Sequence, residues 1–234
     1  MIRLLRGAVV QAASLRLNFE VTHSMTQHPY VIFGTSNKNK GKEMAQIVAP
    51  TGVELATLSE FPNAIDIVED GRTFGQNARK KACEQARNLN AWVLAEDSGI
   101  CVDYLDGAPG VYSARFANFN HCDDKRNNQL LLEKLEGVPL EKRGAHYTCH
   151  MVLSDPTGEV MFEAEEICPG KILFEETGTG GFGYDPMFQP NGYELTFGML
   201  PPEVKAQISH RAKATRILVP FLSDLAKDNR LPLR

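Results

Sequence analysis

Two adjacent carboxylates, Glu96 and Asp97, follow directly on an apolar run in the stretch LAEDSGICVDYLDGAPG. Residues 92–95 of that run predict a buried strand, and Ser98 and Gly99 predict a turn that breaks it and lets the two carboxylates converge. Because like charges repel and an unpaired buried charge is costly, the pair needs a compensating partner. A divalent cation would supply one, since Mg²⁺ is commonly held by one or two carboxylates together with substrate phosphates. The alternative is a pair of solvent-exposed acids at the end of a strand.

A group of lysine, amide and hydroxyl side chains lies between a predicted strand and a predicted helix, in GTSNKNK at residues 34–40. Lysines at a helix N-terminus oppose the helix dipole, but a bound phosphate would be stabilised by both the ammonium groups and the backbone N–H groups. The segment is not a Walker A loop, because position 39 is Asn where that motif requires Gly. It predicts an anion site, with a solvated turn capped by Asn37 as the alternative.

The glycine-rich stretch GTGGFGYDP, residues 178–186, contains the spacing G-x-G-x-x-G. A dinucleotide-binding loop opens directly into a helix, whereas Pro186 biases Asp185 away from helical geometry. The glycines still allow a ligand to approach the backbone closely, and Phe182 and Tyr184 offer flat faces for a base. The alternative is a flexible surface loop.

A basic pair follows a predicted helix cap in KAQISHRAKA, residues 205–214. Ser209 is the predicted cap, so His210 and Arg211 occupy the first helical turn, where the dipole disfavours positive charge. His210 could contact a base carbonyl, and Arg211 could donate two hydrogen bonds to one acceptor. Two solvated surface residues are the alternative.

Two further groups have the chemistry of metal ligands. Glu69 and Asp70 form an acidic pair that could join the first one. His146, Cys149 and His150 are close in sequence, but AHYTCHMVL alternates as a strand does, and structural zinc commonly has four ligands. A strand is therefore favoured over a metal site there.

The composition is that of a globular protein, with one large domain or two small lobes that share a core. The chain has 234 residues, 43% of them hydrophobic, and a net charge of −4, with no apolar run near the ~20 residues of a membrane span. This charge does not indicate nucleic-acid binding. The cysteines, at positions 83, 101, 122, 149 and 168, form no C-x-x-C motif, which favours reduced thiols in the cytoplasm.

The elements that must position these side chains alternate between strands and helices. The predicted strands are 30–33, 92–95, 100–105 and a hairpin of 145–153 with 158–167. The predicted helices run from the polar loop to Pro50, from a Thr73–Gln76 capping box, from an aspartate cap in DDKRNNQLLLEKLEG, and from Ser209. This order predicts an α/β fold with a mixed sheet.

Residues 1–28 differ from the rest and are excluded from the predicted domain, residues 29–234. The stretch MIRLLRGAVVQAASLRLNF has three arginines and no acid, and polar residues interrupt its apolar part, which weakens a signal-peptide interpretation. We expect a disordered tail, or an upstream start codon with Met25 as the functional start.

Taken together, five stretches resemble the inosine triphosphate pyrophosphatase family. They are TSNKNK (35–40), EDGRTFGQNARKKA (69–82), AEDSGICVDYLDGAPGVYSARFA (95–117), GTGGFGYDPMF (178–188) and ISHRAKA (208–214). The resemblance covers residues 29–226. It implies an elongated two-lobed α/β fold around a long mixed sheet with flanking helices and an active site in the inter-lobe cleft. It also implies a cytoplasmic, Mg²⁺-dependent homodimer that hydrolyses ITP, dITP and XTP to the monophosphate and pyrophosphate.

The same resemblance implies a role for each matching residue. The loop that cradles the triphosphate matches Thr35, Ser36, Asn37, Lys38, Asn39 and Lys40, with Asn37 and Lys40 in direct contact. The catalytic and metal-associated positions match Asp97 as proton acceptor, Lys81 as a lysine facing the phosphates, and Glu69 and Glu96 as further acids. The remaining substrate contacts match Ser98, then Phe182, Gly183, Tyr184 and Asp185 around the base, and Lys205, His210 and Arg211 at its oxygen-bearing edge. Position 96 is Glu where many bacterial members carry Asp.

Two other classes of function compete with this one. A nucleotide-binding regulator would need the phosphate loop but not the acidic cluster. A nucleotide kinase or an oxidoreductase is disfavoured, because the Walker A lysine motif and the Rossmann context are both missing.

Overall fold

The computed structural model describes residues 27–35, 37–118 and 122–234. The expectation for residues 1–28 therefore falls almost wholly outside the described residues. The strands are β1 (Tyr30–Phe33), β2 (Glu54–Thr57), β3 (Val93–Val102), β4 (Gly144–Ser154), β5 (Val160–Ile172) and β6 (Phe188–Pro190). The helices are α1 (Lys38–Val48), α2 (Phe74–Leu89), α3 (Asp124–Lys134), α4 (Pro202–Ile208) and α5 (His210–Lys227).

The strands form one mixed sheet in the order β2-β1-β3-β4-β5-β6. β1 runs parallel to β2 and β3, and the β3–β4, β4–β5 and β5–β6 pairs are antiparallel. Helices pack against this sheet, which confirms the predicted α/β class with a mixed sheet and flanking helices. None of the helices in the described ranges is both long and apolar enough to cross a membrane.

Local signals located most helix ends correctly. Thr73 caps α2 by accepting from Gln76 N at 3.2 Å, and Asp123 caps α3 by accepting from Arg126 N at 3.1 Å. The capping box differs in one respect, because the Gln76 side chain accepts from Arg72 N at 2.7 Å instead of from the cap residue itself. The predicted hairpin is confirmed as β4 and β5.

The predicted break in the central strand is wrong. β3 continues through Ser98 and Gly99, which pair with Cys149 and Thr148 of β4. Gly99 serves close packing instead of a turn, because a Cβ there would lie 2.6 Å from the carbonyl oxygen of Gly110. The strands predicted at 92–95 and 100–105 are therefore a single strand.

Two apolar clusters enclose the two ends of β3 and β4. One cluster contains Leu94 and Met151 and packs α1 and α5 against the sheet through residues such as Met44 and Leu218. The other contains Ile100 and buries the loop around Tyr184 together with part of α3. The polar residues Glu96, Asp97 and Ser98 lie in the middle of β3, between these two clusters.

Candidate active site

Glu96 and Asp97 are neighbours in β3, and their side chains therefore point to opposite faces of the sheet. The Asp97 carboxylate faces α2, where Asn77 Nδ2 donates to Oδ2 at 3.0 Å. The Glu96 carboxylate faces α1 and α5, and Arg211 Nε donates to its Oε1 at 3.1 Å. The convergence predicted for the two carboxylates is wrong, because no turn interrupts the strand after Asp97.

The Asp97 face opens into a cavity of about 340 Å³, here called the acidic cavity. Lys81 Nζ lies 2.9 Å from Glu69 Oε2 and 3.2 Å from Asp97 Oδ1, and all three residues line this cavity. Lys40 lines the same cavity from the N-terminus of α1. Asp70 instead pairs with Lys80 at 2.7 Å in an exposed position. Cations from α1 and α2 therefore meet acids from β3 and from the loop before α2, as predicted, with Glu69 in the cluster and Asp70 outside it.

The two acids of this cavity differ in their affinity for a proton. Burial raises the pKa of Asp97, and the charge of Glu69 adds to that rise against the opposing Lys81 ammonium. Burial also disfavours ionised Glu69, but Lys81 outweighs it and the pKa of Glu69 is lowered. Asp97 is therefore the more basic carboxylate, as a proton acceptor requires.

Glu96 is the centre of a separate buried cluster. Lys40 Nζ and Arg211 Nε each lie 3.1 Å from its Oε1, and the Cys149 thiol donates to its Oε2 at 2.9 Å. Burial favours the neutral acid, but the two cations outweigh burial and hold the pKa of Glu96 well below its usual range. The Glu96 side chain has no exposed surface, so its carboxylate is saturated by protein groups and lines neither cavity.

A second cavity of about 170 Å³ adjoins the first and is here called the aromatic cavity. Its lining includes Tyr147, Phe182, Gly183, Tyr184, Asp185, Lys205, His210 and Arg211. Five residues line both cavities, so the two spaces meet at them: Asn37, Lys40, Ser98, Ala114 and Cys122. Every residue predicted around the base lies in this second cavity.

The glycine-rich loop is ordered by one buried carboxylate. Asp185 Oδ2 accepts from Phe182 N at 2.9 Å and from Lys205 Nζ at 2.6 Å. The Phe182 ring lies 4.6 Å below the Lys205 ammonium, whereas Tyr184 is buried with its hydroxyl donating to Ser113 O at 2.7 Å. These contacts argue against the flexible-loop alternative. Of the two aromatic rings predicted to face a base, Phe182 is more accessible than Tyr184.

Tyr147 is a residue of this site that the sequence did not reveal. Its ring stacks on the His210 imidazole with centroids 4.7 Å apart and planes 6° apart, and its hydroxyl lies 3.3 Å from Asp185 Oδ1. Burial and the adjacent Arg211 charge lower the pKa of His210 well below its usual value, so the imidazole is neutral. Its Nδ1 is buried and has no hydrogen-bond partner in the described part of the protein. Strand alternation alone could have placed Tyr147 on the Cys149 face of β4.

Glu43 is a second residue that sequence reasoning missed. From α1 its carboxylate pairs with Lys205 Nζ at 2.9 Å and with Arg211 Nη1 at 2.5 Å. A chain of alternating charges therefore joins the phosphate loop to the base loop, in the order Lys40, Glu96, Arg211, Glu43, Lys205 and Asp185. A lone acid among the lysines of the first turns of α1 was the available signal.

The β1–α1 loop is a turn capped by Asn37, and it also lines both cavities, where an anion could bind. Asn37 caps α1, because its Oδ1 accepts from Asn39 N at 3.0 Å and from Lys40 N at 3.3 Å. Thr35, Asn37 and Lys40 line the acidic cavity, and Asn37, Asn39 and Lys40 line the aromatic one. Ser36 lies outside the described residues, as does the side chain of Lys38.

The chemistry of the acidic cavity fits a magnesium ion that completes its coordination with substrate. No group of three or more His, Cys, Asp or Glu side chains in the described ranges could hold a metal alone, and this includes His146, Cys149 and His150. Two carboxylates, Glu69 and Asp97, share the cavity, which is the protein contribution expected when phosphates and water supply the other ligands. Glu96 does not fit, because its oxygens are occupied on the other face of the sheet.

Comparison with known proteins gives one consistent family. The Ham1 family model matches residues 31–221. The dITP/XTP pyrophosphatase of Rhodopirellula baltica is 50% identical over 199 residues, which cover 85% of this chain and 95% of that protein. The dITP/XTP pyrophosphatase of Listeria monocytogenes serotype 4b is 45% identical over 197 residues, covering 84% and 96%.

Solved structures agree with the sequence matches. A HAM1 protein from Coxiella burnetii superposes with a TM-score of 0.76 at 32% identity, over 84% of this chain and 99% of that one. The Ham1 protein of Staphylococcus aureus superposes with a TM-score of 0.74 at 34% identity, over 83% and 98%.

Proposed function

The chain belongs to the Ham1 family, and from that premise and the two joined cavities we propose that it hydrolyses non-standard purine nucleoside triphosphates, ITP, dITP and XTP, to the monophosphate and pyrophosphate. The observation that carries the proposal is the wall that the two cavities share, whose polar members include Asn37, Lys40 and Ser98. A nucleotide that spans this wall has its base among aromatic side chains and its phosphates between cations and carboxylates. The family resemblance drawn from the five sequence motifs is confirmed by this membership.

Asp97 is the group we assign as proton acceptor. Its carboxylate lines the acidic cavity, where it can take a proton from the water attacking the α-phosphorus. Asn77 fixes one of its oxygens and Lys81 contacts the other, so the carboxylate is oriented before substrate arrives. Lys81 and Lys40 then stabilise the negative charge of the departing pyrophosphate.

We propose Mg²⁺ as the metal, held by Glu69 and Asp97. When bound, such an ion neutralises negative charge on phosphate oxygens. Glu96 is not part of this assignment, and its proposed function is to hold Lys40 and Arg211 in place through its two ion pairs.

Selectivity for the base follows from the hydrogen-bond donors of the aromatic cavity. Inosine and xanthine carry a keto oxygen at position 6, which accepts hydrogen bonds, whereas adenine carries an amino group, which donates them. Arg211 and the main-chain N–H groups near His210 in the first turn of α5 are the proposed donors, since helix geometry leaves the first N–H groups without intrahelical acceptors. An amino group facing these donors leaves them unpaired, and such mismatches give strong discrimination.

The remaining features of the proposal rest on the family resemblance. They are a single domain over residues 29–234 with two lobes and the active site in the cleft between them, a homodimeric assembly and a cytoplasmic location. We propose no nucleic-acid or membrane partner.

The decisive experiment is incubation of the purified protein with ITP and Mg²⁺, followed by separate assays for pyrophosphate and orthophosphate. Pyrophosphate with IMP is expected. Orthophosphate, or no product despite ITP binding, would favour a different hydrolase or a nucleotide-binding regulator.

Two matched variants test the assignment of the proton acceptor. Asp97→Asn is expected to abolish turnover while ITP still binds, and Asp70→Asn, which changes an exposed acid paired with Lys80, should leave turnover intact. Near-parental hydrolysis by Asp97→Asn would show that another group accepts the proton.

A further inference from the structure

Arg115 is a basic residue of the acidic cavity for which no chemistry has yet been assigned. It ends the short 3₁₀ helix Gly110–Arg115, and it lines the cavity together with Glu69 and Asp97. Its side chain is half-buried, and Nη2 donates to the main-chain carbonyl oxygen of Glu69 at 3.0 Å. The bond holds the guanidinium beside the main chain of Glu69.

The ion pairs of this cavity leave Arg115 in a special position. Lys40 is paired with Glu96, and Lys81 is paired with Glu69 and Asp97. Arg115 forms no ion pair with any carboxylate that the structure describes. Its guanidinium donates to the Glu69 carbonyl oxygen and lies 5.8 Å from the centre of the Tyr112 ring. Of the basic side chains described in this cavity, it therefore has the charge that is least neutralised by the protein itself.

The position of Arg115 along the two cavities indicates which part of a nucleotide it would meet. Arg115 lines the acidic cavity and is not among the residues of the aromatic cavity, whereas Lys40, Ser98 and the adjacent Ala114 line both. A nucleotide with its base in the aromatic cavity has its α-phosphate near the shared wall. The β- and γ-phosphates then extend into the acidic cavity, which Arg115 lines.

We propose that Arg115 binds the leaving pyrophosphate, that is, the β- and γ-phosphates of the bound substrate. This inference rests on the proposed function and adds a residue to it. A guanidinium is suited to this because its planar fork can donate two parallel hydrogen bonds to phosphate oxygens. Its bond to the Glu69 carbonyl leaves the other nitrogen of the fork and Nε available to the ligand.

The experiment compares Arg115→Gln and Arg115→Lys with the parental protein in ITP hydrolysis, with inorganic pyrophosphate and IMP as product inhibitors. For Arg115→Gln the pyrophosphate inhibition constant is expected to rise about tenfold or more, the usual effect of a lost charge-assisted hydrogen bond. The IMP inhibition constant and the ratio of kcat/KM for ITP to that for ATP should not change, because both report on the aromatic cavity. Arg115→Lys should recover part of the pyrophosphate affinity.

A matched control separates this contact from a structural effect. Arg79→Gln removes an arginine that pairs with Glu163 and lies outside both cavities, and it should change none of these constants. If Arg115 served only to hold the Glu69 loop, Arg115→Gln would raise the Mg²⁺ concentration for half-maximal activity and leave pyrophosphate inhibition at saturating Mg²⁺ unchanged. That result would overturn the inference. A parental protein that releases no pyrophosphate from ITP would instead overturn the proposed function.

Discussion

Replacement of Glu96 by Gln tests whether this residue is a structural counter-charge, as its contacts indicate. The substitution keeps the shape of the side chain but removes the negative charge that Lys40 and Arg211 share at 3.1 Å each. The Arg211 side chain is 2% exposed and the Lys40 side chain 15% exposed, so Arg211 cannot recover its solvation while Lys40 can in part. The main expected consequence is therefore a buried guanidinium with reduced neutralisation.

The magnitude follows from this difference in burial. Removing one partner of a buried ion pair costs about 3–5 kcal/mol, and the retained contact between Arg211 and Glu43 places the expected loss near the lower end, about 3 kcal/mol. For a chain of this size that corresponds to a decrease in Tm of roughly 6–12 °C. Thermal unfolding followed by circular dichroism measures the decrease, and urea unfolding gives the free energy directly.

The matched control is Glu54→Gln on the edge strand β2. Glu54 pairs with Arg234 in a half-exposed position, where ion pairs contribute about 1 kcal/mol or less. If Glu96→Gln lost no more unfolding free energy than Glu54→Gln, the reasoning would be refuted, because Glu96 would then not be needed as a counter-charge. A Glu96→Gln protein of parental stability that needed more Mg²⁺ for activity would return Glu96 to the metal site.

Three further expectations follow from the aromatic cavity and the metal site. Burial and the Arg211 charge keep His210 neutral in the folded protein, whereas the histidine of the unfolded chain binds a proton near pH 6.5. Protonation therefore favours the unfolded chain, and the unfolding free energy decreases as the pH falls below 6.5. By pH 5.5 the parental protein should lose about 1.4 kcal/mol of unfolding free energy relative to His210→Phe, and equal pH profiles in urea unfolding would contradict this. Tyr147→Phe retains the stack on His210 and should change KM for ITP by less than about threefold. Tyr147→Leu removes the stack and should raise KM about tenfold. Equal KM values for the two variants would mean that the stack does not orient His210. Chelation of the metal with EDTA should stop pyrophosphate release and leave Tm unchanged, since the protein supplies only two carboxylates; hydrolysis that persists in EDTA would exclude the proposed Mg²⁺ site.

Local patterns in the sequence were sufficient for most of the fold. The caps at Thr73, Asp123 and Ser209 each use a side-chain oxygen that accepts from a backbone N–H three residues later, so their signal lies within one turn. The hairpin from β4 to β5 likewise depends on alternation and a short turn. Such features were predicted correctly because the interactions that cause them are close in sequence.

The interpretation of Ser98 and Gly99 failed because the constraint on Gly99 comes from elsewhere in the chain. Glycine after two acids is a common turn signal, but here the missing side chain makes room for the carbonyl of Gly110 and for Ser113. Nothing in the local pattern distinguishes these two uses of glycine. Glu43 was missed for the same reason, because its hydrogen bond to Arg211 joins residues 168 positions apart.

The opposite orientations of Glu96 and Asp97 place the two carboxylates in different surroundings on one strand. Asp97 faces a cavity where its charge is only partly compensated, which suits a group that binds metal and accepts a proton. Glu96 faces the interior, where it holds Lys40 and Arg211, one in each cavity-forming helix, at fixed positions. Because those cations are already held by Glu96, substrate binding does not have to reorganise them, which is the condition under which electrostatic stabilisation is most effective. The repulsion between two adjacent carboxylates is thus avoided because the strand points them to opposite faces of the sheet, and no metal ion between them is needed to offset it.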